Sequence, residues 1–312
     1  VYGSALDAAF NELLKPCRDV CPEDIFIQEF SRTKINNLEV EVRSNINFTY
    51  AAADFDSDLV EISDEDIIQM GVLKTKKAKY GLSSLTKEER LFFNAWHWEC
   101  LKVKGLLMIR AYKEKVLPLV KKVYDVQIPI ELSNGEDTIT GYVDLVADVE
   151  GHGLVVLDNK TSSIEYAKDS VLTSPQLSLY LSALQEKYNT RKAGYIVLSK
   201  RVKKNKVKVC KKCGYDGTSG RHSSCPKEIQ NRRCGGQWEE TIAPEIEIQI
   251  IIDEIPKRTE DIVIENYDNI CHAIQNKIFT RNMTTCGNIY GSPCAYFGLC
   301  YKNSMKGLEE VE

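Results

Sequence analysis

Residues 139–180 read ITGYVDLVADVEGHGLVVLDNKTSSIEYAKDSVLTSPQLSLY, and the fold is decided by this stretch. Val143, Leu145 and Val146 surround a lone Asp144, and Leu154 to Leu157 form an apolar run that ends in Asp158-Asn159-Lys160. A short apolar run bounded by glycines on one side and polar residues on the other predicts a buried strand. Side chains alternate along a strand, so Asp158 and Lys160 share a face. Asp144 joins them if its strand pairs with the next. After Pro175 the pattern turns helical, and Gln176 and Tyr180, four apart, lie on one helix face.

Two carboxylates held close on a sheet repel each other unless a cation lies between them. Hard oxygen ligands with room for water suit Mg2+ or Mn2+. Such an ion polarises a phosphoryl oxygen and acidifies water, and a neighbouring lysine orients the nucleophile or offsets developing charge. The chemistry points to phosphodiester hydrolysis. A bare D-x-K triplet is common and is often only the turn at a strand end, so the ordered set of residues carries the reading.

That set, Gly141-x-x-Asp144, Asp158-x-Lys160 and Gln176-x-x-x-Tyr180, resembles the PD-(D/E)XK nuclease superfamily, and within it the RecB-type exonuclease branch marked by the glutamine–tyrosine helix. The segment from Tyr2 to Phe10 resembles that branch's first helix, which carries G-x-x-x-H, with Asp7 standing where the histidine would be. The resemblance implies an α/β fold: a restriction-endonuclease-like core, with a mixed central sheet flanked by helices. It further implies Asp144, Asp158, Lys160, Gln176 and Tyr180 as catalytic residues. Asp7, Asp144, Asp158 and Asn159 would hold Mg2+ or Mn2+. The implied activity is metal-dependent DNA exonuclease action in recombination, replication or repair, with a phage or other mobile element as one source that fits. An endonuclease on the same core and a catalytically silent zinc-ribbon DNA-binding module remain open alternatives.

The 312 residues suffice for one large domain with insertions or for two domains. No apolar run approaches the ~20 residues that span a bilayer, and no signal peptide is visible. A cytoplasmic setting, in a bacterium or a phage-infected host, is the expectation. The sequence opens on Val1 rather than Met, almost inside the first predicted helix, so residues upstream are expected to have been removed. A net charge of −4 conceals local contrast. Residues 54–66 hold seven acidic residues and no basic one, and residues 200–212 hold eight basic residues and no acidic one. The acidic run reads as a solvated face. The basic run, with Lys203, Lys204, Lys206 and Lys208, together with Arg232 and Arg233, suits a phosphate backbone.

Eleven cysteines without a secretion signal argue for metal before disulfides. Cys210-x2-Cys213, Cys225 and Cys234 offer four thiolates, a complete tetrahedral set for structural Zn2+ with no open position. Reduced unpaired thiols are the alternative. Cys286, Cys294 and Cys300 resemble the C-terminal cysteine triplet of iron–sulfur members of the RecB-type branch, which implies a [4Fe-4S] cluster. The first gap is longer than that family's, and no cysteine precedes Gly3. The fourth ligand would lie upstream or be Cys17, Cys21, Cys100 or Cys271; the remaining alternative is that no cluster forms.

Along the chain, residues 1–14 predict a helix, and residues 23–53 alternate weakly, as strands or a hairpin would. Thr86 to Glu89 form a capping box opening a long helix that Pro118 should end. His97 on that helix reads as structural. Strands follow at 123–132, 138–149, 153–160, 194–200 and 244–255, with a hairpin turn at Asn134-Gly135. The expected organisation is a nuclease core over 1–200 with a large helical insertion at about 23–120, a zinc-ribbon insertion at 201–240, and a strand/helix region at 241–312 packing its cysteine triplet back on the core. DNA is the expected partner, with recombination or replication proteins beside it and no membrane.

Overall fold

In the computed structural model the described residues are 2–15, 20–32, 63–80, 84–133, 138–217, 222–230, 232–276 and 278. The acidic run up to residue 62, the Asn134-Gly135 turn, Cys17 and the Cys286, Cys294 and Cys300 triplet lie outside them. Two units divide the chain, 1–261 and 262–312.

Helix α1 (Tyr2–Leu13) buries Ala5, Leu6, Ala9, Phe10 and Leu13 along one stripe. Residues 22–32 form helix α2, not the strand or hairpin that their weak alternation suggested. Phe26 and Phe30, four apart, stack at 5.3 Å between ring centroids and are buried, a helical pairing that decides the period. Helix α3 (Asp64–Tyr80) precedes the long helix α4 (Lys87–Lys115). Thr86 accepts from the Glu89 backbone N–H and Glu89 reaches back to the Thr86 N–H, so the predicted capping box forms. The helix stops at Lys115, and Pro118 sits in a following 3-10 turn. The chains of α4 and α2 meet at Gly105, where an added Cβ would lie 2.0 Å from the Phe26 ring.

Strands β1 (Val120–Ser133), β2 (Thr138–Val149), β3 (Gly153–Ser162), β4 (Lys192–Cys210) and β7 (Trp238–Glu254) form one sheet in the order β1-β2-β3-β4-β7. All neighbours are antiparallel except β3 and β4. A parallel pair needs a crossover, supplied here by helix α5 (Pro175–Tyr188). One sheet face packs against α1 and α4 through Leu145, Ala147, Val155, Leu157 and Ile196; the other packs against α5 through Val143, Val156, Leu177, Leu181 and Val197. The result is an α/β fold with a central, mostly antiparallel sheet between helices.

Two strands run longer than their patterns suggested. β4 continues through the basic run to Cys210, and β7 begins at Trp238. Past an irregularity between Leu198 and Val202 they pair again from Val202↔Ile246 to Cys210↔Trp238. Ile246 and Val202 still join the core at the start of this segment, and the apolar signal fades beyond them, where Lys203, Lys204, Asn205, Lys206 and Lys208 are exposed. At its tip the short strands β5 (Glu228–Ile229) and β6 (Arg232–Arg233) complete a ribbon. Helix α6 (Lys257–Gln275) follows; its Glu260, 2% exposed, is held by Arg191 at 3.1 Å and Lys257 at 2.7 Å. Within the second unit, Ile262, Ile270 and Ile274 of this helix are exposed. Among the described residues no helix is long and apolar enough to cross a membrane.

Candidate active site

The β2–β3 ladder runs out at Leu145↔Leu157, one residue short of Asp144 and Asp158. The strands need not exchange backbone hydrogen bonds beyond that pair, and Asp144 takes over: its Oδ2 accepts from the Asn159 backbone N–H at 2.8 Å. Its Oδ1 accepts from Gln127 Nε2 of β1 at 3.0 Å. On β3, Asp158 and Lys160 do share a face, with Lys160 Nζ 2.7 Å from Asp158 Oδ2.

Helix α5 closes the cluster. Ser174 caps it through the Leu177 N–H, and Pro175 occupies the first turn, where its missing N–H costs nothing. That start places Gln176 at the sheet end: its Nε2 donates to Asp158 Oδ1 at 2.9 Å, and its Oε1 accepts from Lys160 at 3.0 Å. Gln176 Nε2 also meets the Tyr180 hydroxyl oxygen at 2.5 Å, and that hydroxyl reaches Asp158 Oδ1 at 3.4 Å. Tyr195, opposite Asp158 on β4, lies under Lys160 with its ring centre 6.0 Å from Nζ and its hydroxyl 2.5 Å from Ser174 Oγ. From the other face, Asp7 of α1 lines a cavity of about 200 Å³ with Gly3, Phe10, Asn159, Lys160 and Thr161.

Electrostatics mark the cluster as short of positive charge. Burial, then the charges of Asp144 and Asp158, push the Asp7 carboxyl up to about 7. Burial and Asp144 push Asp158 up to about 6 against the pull of Lys160. Asp144 is raised by burial although the Asn159 N–H and Gln127 oppose it. Burial works against the Lys160 ammonium, but Asp158 and Asp144 outweigh it and raise its pKa, so it is a cation at neutral pH. One ammonium serves three carboxylates, a donor set of hard oxygens suited to a divalent cation. The three are not drawn into a tight cage: among the described residues only the four cysteines bring three or more ligand atoms within 4.8 Å of one another.

Tyr195 escapes a reading of the sequence, and so do two further residues here. Gln127 is one. The other is Tyr112 of α4, fully buried and stacked on Phe10 at 4.4 Å; burial, with the charge of Asp144 next, raises its pKa. A tyrosine among the apolar residues of a long helix gives no sign that it underlies a site.

The four cysteines form a second centre. Cys210 and Cys234 Sγ are 3.7 Å apart, and Cys213 and Cys225 Sγ are 3.6 Å apart. A tetrahedron with Zn–S bonds of ~2.3 Å has edges of ~3.8 Å, so the spacing fits one ion; a multi-iron cluster needs its thiolates further apart. Gly236 packs on them so closely that a Cβ would lie 2.6 Å from Cys210 Sγ. This is the arrangement of a zinc ribbon. Of the basic residues around it, Lys203 pairs with Glu247 and Lys208 with Glu240 at 3.3 Å. Arg232 and Arg233 are exposed. Strand β7 thus sets acidic side chains opposite the basic strand and moderates its field. Of the proposed stand-in iron ligands, Cys21 is exposed and Cys100 buried on α4.

The model of the PD-(D/E)XK nuclease superfamily matches residues 58–301, and the chain belongs to that superfamily. Its members typically use divalent metal ions and act on DNA. Among solved structures, the protein SSO0001 is 10% identical, with 77% of this chain and 86% of that chain covered at a TM-score of 0.28. A candidate exonuclease from Eubacterium rectale is also 10% identical, with 78% and 82% covered at a TM-score of 0.30. No curated protein matches the sequence.

Proposed function

We propose that the chain is a metal-dependent DNA exonuclease of the RecB-type branch, and that the residues assembled at the end of β3 cut the phosphodiester bond. The observation that carries this is the closed network Asp158–Lys160–Gln176–Tyr180, in which the helix motif and the D-x-K motif bond directly to each other. Asp144 and Asp158 would hold the cation, and Asp7 and the Asn159 carbonyl would complete the oxygen set. The bound cation supplies Lewis-acid polarisation of the scissile phosphate and acidifies water. Lys160, kept protonated, orients the attacking water by donating to it and offsets negative charge on the phosphate. Gln176 bonds to Asp158 and Lys160 at once, so it fixes their separation, and Tyr180 backs it.

Beyond the end of β3 a groove of about 760 Å³ opens, lined by Lys115, Arg201 and Lys203 and also by Glu165, Glu245 and Glu247, with Lys115 paired to Glu245 and Lys203 to Glu247. It lies just past the carboxyl end of β3 and along the middle of β4, and we assign it to the DNA strand. Zn2+ is assigned to Cys210, Cys213, Cys225 and Cys234. The iron–sulfur assignment for Cys286, Cys294 and Cys300 rests on the sequence resemblance, as do the division into core, ribbon and C-terminal regions and the exonuclease mode.

The test is cleavage of end-labelled linear and closed circular DNA, single- and double-stranded, with Mg2+, with Mn2+ and with chelator. Digestion of linear but not circular DNA is expected, falling on the order of 10²-fold or more in Lys160→Ala. Cutting of closed circles would make the protein an endonuclease. Failure to cut anything with either metal would leave a DNA-binding module.

A further inference from the structure

Strands β1 and β2 change faces together beside the site. Along β1, Val126 packs with the α1/α4 side of the sheet, whereas Ile128, two residues on, packs with the α5 side. Along β2, Leu145 packs on the first side and Val143 on the second. A regular strand keeps residues two apart on one face, so each strand breaks its alternation at the residue between. Those residues are Gln127 and Asp144, which the register sets opposite each other between Val126↔Leu145 and Ile128↔Val143.

The break has a backbone cause. Gln127 has φ +51°. Asn189 and Gln230 also have positive φ, but Asn189 ends α5 in the ordinary left-handed cap and Gln230 follows β5 in the β5–β6 turn. Among the described residues Gln127 alone adopts it within a sheet strand without being glycine or asparagine. Such a conformation is disfavoured for a long side chain and persists where the surroundings require it, commonly at functional sites. What it achieves here is visible: the amide Nε2 meets Asp144 Oδ1 at 3.0 Å while the Asn159 N–H holds Oδ2. Each carboxylate oxygen keeps a second lone pair, so Asp144 is fixed in orientation with acceptor capacity left for a cation.

We propose that Gln127 is a positioning residue that orients Asp144 for the catalytic cation, and that β1 carries an unfavourable backbone conformation in order to place it. The inference rests on the metal-site reading above. It sets function against stability at one residue, which a structural role would not do. Gln127→Gly removes the amide and relieves the positive φ. Gln127→Asn keeps an amide and is the residue type most at ease with that φ after glycine.

The experiment measures two quantities on the intact protein with its cysteine site loaded with zinc: the dissociation constant for Mn2+, from free Mn2+ counted by electron paramagnetic resonance, and Tm without added Mn2+ or Mg2+. Asp158→Asn serves as the background for Mn2+ held elsewhere. Losing a hydrogen-bond partner of a metal ligand weakens affinity by about 10–100-fold, and that is expected for Gln127→Gly, with Tm equal to that of the unaltered protein or higher by about 2–4 °C. Gln127→Asn should recover part of the affinity. Unchanged Mn2+ affinity in Gln127→Gly overturns the proposal. So does weaker affinity accompanied by a falling Tm, which makes Gln127 a structural residue. If the unaltered protein binds no Mn2+ above the Asp158→Asn background, the metal-site reading itself fails, a result distinct from either.

Discussion

Replacing Asp158 by asparagine should stabilise the protein when neither Mg2+ nor Mn2+ is present, although Asp158 sits at the centre of a hydrogen-bonded network. The carboxyl is 2% exposed and its pKa stands at about 6 against an ordinary 3.8. Burial and the charge of Asp144 therefore cost its ionised form more than Lys160 returns. At about 1.4 kcal/mol per pH unit this is roughly 3 kcal/mol. A carboxyl whose folded pKa is raised leaves the fold most stable below the unfolded value, and that stability is lost as pH rises through the folded one. The penalty is thus absent only well below the unfolded value, at about pH 3, grows between about 4 and 6 and is complete above about 7. Asparagine keeps an oxygen to accept from Gln176 and carries no charge. At pH 8, Asp158→Asn should then raise Tm by roughly 6–12 °C, and the difference should shrink below about pH 6 and vanish by about pH 3. The assay is thermal unfolding across pH with the cysteine site kept zinc-loaded. Adding Mn2+ at about 100 times its dissociation constant should raise the unaltered protein by about 2.7 kcal/mol and leave the variant unmoved. A variant less stable at pH 8, or a gain independent of pH, would refute the reasoning: Lys160 would then be paying Asp158's desolvation in full.

Other substitutions probe the frame around the site. Gly236→Ala would put a Cβ 2.6 Å from Cys210 Sγ and 2.9 Å from Lys212 Cβ; bound zinc per chain, measured on the purified protein, should fall sharply while the core's melting transition remains. Gly105→Ala would drive a Cβ into the Phe26 ring at 2.0 Å. Overpacking of this kind costs about 1–3 kcal/mol, seen as a lower Tm, and Phe26→Leu in the same chain should recover part of it.

Much of the site's framework is legible in the sequence because its parts are local. The apolar run before Asp158, the Ser174-Pro175 start of α5 and the four-residue step from Gln176 to Tyr180 each depend on neighbours in the chain, and the helix forms over the residues its pattern marks. The basic strand was harder to see. Its period is that of a solvated hairpin, and what it faces, Glu240, Glu245 and Glu247, comes from more than thirty residues downstream. The helix at residues 22–32 was obscured for a related reason: its period rests on Phe26 and Phe30, whose partners, Trp98 and Tyr2, belong to other helices.

Gln127 shows most sharply why part of a site stays hidden. Val126, Ile128, Ile130 and Leu132 alternate without a fault, and the pattern predicts one buried face for all of them. The backbone instead turns over at Gln127, and the same apolar series serves both cores, Val126 one and Ile128 the other. A period-2 pattern cannot record such a turn, because each side of the sheet is apolar and either face satisfies the hydrophobic residues. Only the partner strand records it, in the solitary Asp144 between Val143 and Leu145, and only once the register is known. The charge that must be placed and the amide that places it thus lie on adjacent strands at the same level. The backbone cost falls on the amide's strand, leaving β2 and β3 free to end their ladder where the two carboxylates emerge.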